Sequence, residues 1–84
     1  MILPDAAVTF TPEQIAQLNE QLSRMRHDIN NSLALIMAAG EMIRLKPELV
    51  EKMTTTLLGQ PQRITVLVQQ FSAAWETLAG IRRE

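Results

Sequence analysis

The chain has no cysteine and a single histidine. Without cysteine no disulfide can reinforce a small core, and one histidine without thiolate partners argues against a structural zinc site. The 84 residues must therefore be stabilised by packing alone, and a chain that short buries little surface unless a partner adds to its core. Self-association is expected. Glycine is scarce too: Gly40, Gly59 and Gly80 stand isolated and far apart, so there is no glycine-rich phosphate loop and the chain is not expected to hold ATP unaided. Charge of one sign is also lacking. Eight basic and nine acidic residues, a net charge of -1, leave no electrostatic footprint for nucleic acid or an anionic membrane. The longest uncharged apolar run, Leu33 to Gly40, is far short of the ~20 residues that cross a bilayer. The opening MILPDAAVTF has no basic segment of the kind that starts a signal peptide. The expectation is a soluble, cytoplasmic protein with no nucleic-acid or membrane partner.

What the sequence does contain is helical periodicity. Residues 1–10 include Pro4 and hold no sustained period, and they read as an arm that is either loose or packed on the outside. Helical order starts at TPEQ: Thr11 can cap, Pro12 suits the first helical position, and Gln14 stands where a capping-box partner reaches back. From there Ile15, Leu22, Ile29, Ile36 and Ile43 recur at seven-residue spacing, with Leu18, Met25, Ser32 and Ala39 on a companion seam. This heptad pattern predicts a long first helix over about 12–45, ended by Pro47. The second half repeats it with Val50, Leu57, Ile64, Phe71 and Leu78, and with Met53, Gln60, Leu67, Ala74 and Ile81 alongside, predicting a second helix over about 47–80.

Long helices joined by so short a turn must be antiparallel neighbours. The fold class expected is all-α, an antiparallel hairpin over residues 11–84. Leu33, Leu35 and Met37 on the first helix and Leu58, Val68 and Trp75 on the second widen the apolar stripe beyond a two-helix seam, so two hairpins are expected to form a homodimeric four-helix bundle. Pro61 removes an amide hydrogen and frees the carbonyl of Leu57, so a bend is expected there. Antiparallel register sets Gln60 and Pro61 about level with Ser32.

The heptad phase puts His27 almost opposite the seam, at the most exposed position. Arg24, three residues before it, and Asn31, four after it, share that face, which continues through the small residues Ala34 and Ala38. A smooth surface of this kind admits close approach by another protein; the plainer reading is a solvated face with alanines chosen for helix propensity. Asp28 adds chemistry. An imidazole attacks through one ring nitrogen while a carboxylate on the other fixes the tautomer and stabilises developing positive charge. The plainer reading of Asp28 is surface charge paired with Arg24.

RHDINNSLALI, Arg26 to Ile36, resembles the H-box of two-component sensor histidine kinases, in the variant whose phosphorylated histidine is followed by Asp and then an asparagine pair. The resemblance runs from the first helix to beyond Trp75, because that family carries the box on the first helix of a dimeric hairpin. It implies that His27 is the phosphoacceptor, Asp28 the adjacent activating acid, and Asn31 the residue that positions water for dephosphorylating a partner response regulator. Arg26 and Asn30 match box residues of less defined role. The face around His27, with Arg24, Asn30, Ala34 and Ala38, would dock a receiver domain or a catalytic ATPase domain. Two departures stand out: Ser32 replaces a proline found in many members, and the ATP-binding domain is absent from these residues. No cofactor is expected on this chain, with magnesium and ATP or phospho-aspartate on the partner. The opening MILPDAAVTF favours a free-standing module over an excised piece.

Three functions fit the sequence. A phosphotransfer module passes a phosphoryl group through His27. A docking or sequestering protein binds a response regulator or kinase by the same face without chemistry. A structural dimeriser needs only the heptads.

Overall fold

The computed structural model describes residues 1–81. The chain is an all-helical antiparallel hairpin: α1 spans Pro12–Leu45 and α2 spans Val50–Ala79. A single 3-10 turn, Pro47–Leu49, joins them, so the start of the expected second helix is wound more tightly than an α-helix. The last residues of the expected hairpin, 82–84, lie outside the described residues.

The start of α1 is fixed locally. The Thr11 hydroxyl accepts from the Gln14 amide at 3.1 Å, and the Gln14 side-chain oxygen accepts from the Thr11 amide at 2.9 Å. This reciprocal capping box satisfies amide hydrogens that have no partner inside the helix, and Pro12 follows at the position where its missing amide hydrogen does no harm. At the other end Lys46 leaves helical geometry at φ -137° and ψ 85°, as the residue before a proline prefers. The Lys46 amide still donates to the Met42 carbonyl.

α2 continues through Pro61, which offers no amide hydrogen to the preceding turn. Several side chains bond back into the same helix: Gln60 Nε2 donates to the Thr56 carbonyl at 3.0 Å, and Thr65 Oγ1 donates to the Pro61 carbonyl at 2.9 Å. The helix ends at Gly80, whose φ of 70° lies in the left-handed region. A side chain there would be strained. Ile81 closes the end by donating its amide hydrogen to the Glu76 carbonyl at 2.9 Å.

The packed line between the helices is narrow. The buried residues are small or polar: Ser32 and Ala39 on α1, Gln60 and Ala79 on α2. Small side chains let helix axes approach, and the large seam residues beside them, Leu22, Ile29, Ile36, Leu57, Ile64 and Phe71, are only half-buried. On one flank Ile15, Leu33 and Met37 from α1, and Val50, Val68 and Trp75 from α2, remain exposed. At about 100° of rotation per residue these six fall on the same side of the antiparallel pair. Ile15 and Trp75 indeed line a shared groove there.

The arm is packed on the outside. The Phe10 ring stacks on Trp75 with centroids 5.8 Å apart and planes inclined by 25°. Pro4 comes to 3.8 Å from where a Cβ on Gly80 would sit. Between and beyond these points Met1, Leu3 and Val8 face outward. The molecule is a flat slab of 58 × 29 × 12 Å with a radius of gyration of 18.1 Å, against about 12 Å for a compact chain of this length.

Candidate functional site

Near the middle of α1, helix geometry alone sets the direction of each side chain in the polar cluster. His27 points away from α2 and its side chain is 72% exposed. Arg24, Asn31, Ala34 and Ala38 are exposed on the same stripe. Asn30 is exposed as well, about 60° around the helix from His27.

Asp28 is different. One residue on, it turns toward α2, and its side chain is half-covered at 35% exposure. Its Oδ1 lies 3.5 Å from Nδ1 of His27, at the outer limit of a hydrogen bond. The pair is therefore adjacent without being clamped. Asp28 does not pair with Arg24, the plainer expectation for this carboxylate. Arg24 turns back one helical turn instead and donates to Glu20 at 2.6 Å. That leaves the imidazole as the partner of Asp28 among the described residues.

Beside this pair runs a groove of about 230 Å³ between the helices, lined by Gln21, Arg24, Asp28, Leu67, Gln70 and Phe71 among others. Gln70 is a residue that the helix-one motif does not point to. The only signal for it in the sequence is register: a turn near Lys46 and Pro47 brings residue 70 about level with residue 23. His27 itself does not line the groove. The structure thus brings Arg24 and Asp28 to a groove shared with α2, and leaves His27, Asn31, Ala34 and Ala38 on an open helix face.

Among the described residues no group of three or more His, Asp or Glu side chains is placed to hold a metal ion, and no helix is long and apolar enough to cross a membrane. Comparison of the chain with protein-family models, curated proteins and solved structures returned no match.

Proposed function

We propose that this chain is a dimeric histidine-phosphotransfer module of two-component signalling, with His27 as the phosphoacceptor. The observation that carries the proposal is the asymmetry of His27 and Asp28: an imidazole held in solvent, with a half-buried carboxylate at its Nδ1 side. With the proton on Nδ1 facing Asp28, Nε2 is the free nucleophile. It attacks phosphorus in line, a P–N bond forms, and the P–O bond to the leaving group breaks. The leaving group is the carboxylate of a receiver's phospho-aspartate or the ADP of a kinase domain in trans. Asp28 stabilises the positive charge that develops on the ring. The magnesium that neutralises the phosphoryl oxygens belongs to the partner in this reading, and Asn31, one turn from His27, positions water when the partner is dephosphorylated. Arg24, Asn30, Ala34 and Ala38 form the surface on which a receiver or ATPase domain seats, in a cytoplasmic setting.

Dimerisation into a four-helix bundle belongs to the same proposal. A compact monomer of 9.5 kDa exposes about 5,000 Å², whereas this hairpin exposes 6476 Å². The excess is larger than the about 800 Å² each partner buries in an interface of standard size. The apolar flank with Leu33 and Val68 lies about 120° around α1 from His27. A second copy seated there leaves both phosphoacceptors free.

The test is phosphate incorporation that is acid-labile and base-stable, after incubation with a panel of phosphorylated receiver domains and kinase catalytic domains. Label on the native protein and none on His27→Ala is the expected result. No label across the panel, from a well-folded protein, would sink the chemistry. The second reading, a docking protein that sequesters a regulator or kinase, is favoured by the looseness of the 3.5 Å His27–Asp28 contact. In that case His27→Ala binds a receiver as well as the native chain does, and neither takes up phosphate.

A further inference from the structure

We infer that the N-terminal arm forms part of the surface on which a second copy of this chain docks, with the Phe10–Trp75 stack closing the open end of the dimer. The inference rests on the dimeric reading above and adds a partner-binding role for residues that no helix contains.

The apolar flank does not end with the helices. It continues into a groove of about 340 Å³ lined by Phe10, Ile15, Leu18, Leu22, Phe71 and Trp75, together with Asn19. Phe10 comes from the arm, so this part of the surface is composite. The arm is anchored on its inner side by the stack on Trp75 and by Pro4 against Gly80. Of its other large apolar side chains Ile2 is half-buried, whereas Met1, Leu3 and Val8 face outward, with Met1 81% and Leu3 61% exposed. An arm that served only to seal its own hairpin would turn those side chains in.

A second copy is the occupant that the chemistry of the groove favours. Its lining contains no charged side chain, so nothing there selects a charged ligand or an oppositely charged partner. Contact across a two-fold axis sets each patch against itself, where like charges would repel and neutral apolar surfaces do not. In a dimer whose hairpins run parallel, both open ends and both arms lie together. The two Phe10–Trp75 stacks would then cover the end of the bundle farthest from the 47–49 turn.

The chain has one tryptophan, so Trp75 emission reports this contact without a label. Sedimentation equilibrium and Trp75 emission would be followed against concentration for the full chain and for Phe10→Ala. The native chain should dimerise with a blue shift of Trp75. Phe10→Ala should weaken the dimer about tenfold, since the Phe10 ring lines the groove that the second copy would cover and burying a phenyl side chain contributes about 1.5–3 kcal/mol, of which about 1.4 kcal/mol is a factor of ten. A native chain that stays monomeric overturns both the dimer and this inference. A native dimer whose affinity Phe10→Ala leaves unchanged, or tightens, overturns only the inference, and tightening would mean that the arm shields the flank. Should Phe10→Ala lose helicity by circular dichroism, the variant Leu3→Ser with Val8→Ser decides by the same criterion. Both residues are outward-facing and outside the stack.

Discussion

Ser32 and Gln60 are the polar members of the buried line between the helices. Ser32 is fully buried, Gln60 is nearly so, and among the described residues neither Ser32 Oγ nor Gln60 Oε1 has a hydrogen-bond partner. An unpartnered buried hydroxyl costs about 1–3 kcal/mol, so Ser32→Ala should raise stability by about 1 kcal/mol in urea titration at fixed protein concentration. A loss of that size would instead mean that the hydroxyl finds a partner when two copies associate. Gln60 Oε1 would be chemically apt as that partner, because a hydroxyl can donate and an amide oxygen only accepts. Their approximate levelling was legible in the sequence, since it follows from the position of the turn. Their near-complete burial was not, because a heptad pattern records which face a residue occupies and says nothing of how closely two axes approach. The same holds at the candidate site. The exposure of His27 follows from helix phase, whereas the half-burial of Asp28 and its groove with Gln70 depend on the distance between helices.

At the scale of the element, α2 is the helix that carries an internal proline. Pro61 sits inside a helix of 30 residues without ending it. The missing amide hydrogen and ring clash cost about 3 kcal/mol, offset in part by the restriction that proline places on the unfolded chain. Pro61→Ala is therefore expected to stabilise the hairpin by about 2 kcal/mol, read as a higher midpoint in thermal unfolding. An unchanged or lower midpoint would show that the helix is shaped around the ring. The helices themselves were legible because cap, proline and period agree: Thr11, Pro12 and Gln14 form the capping box, and Pro47 forces the exit at Lys46. The arm was not. Phe10 and Trp75 are far apart in sequence, and an aromatic pair between distant positions leaves no local trace.

For the molecule as a whole, the governing fact is a slab one helix thick, with a shortest extent of 12 Å. Such a slab cannot enclose its large side chains, which is why Ile15, Leu33 and Val68 remain exposed beside a buried line of small residues. A charge on that flank should matter only in the associated state. Leu33→Glu, at a position 45% exposed in the hairpin, is expected to keep its helicity and lose dimerisation at micromolar concentration by light scattering. A dimer that survives the change would move the interface to another face. The approach of Pro4 to Gly80, 3.8 Å from where a Cβ there would sit, also bears on how the proposed dimer would be engineered. It brings Pro4 beside the end of α2, so in the proposed parallel pairing a short tether between Gly80 of one copy and Pro4 of the next would run at the open end of the bundle, away from the 47–49 turn. Such a fusion would admit one native half and one His27→Ala half, and under the proposed phosphotransfer reading it would leave one phosphoacceptor per assembly.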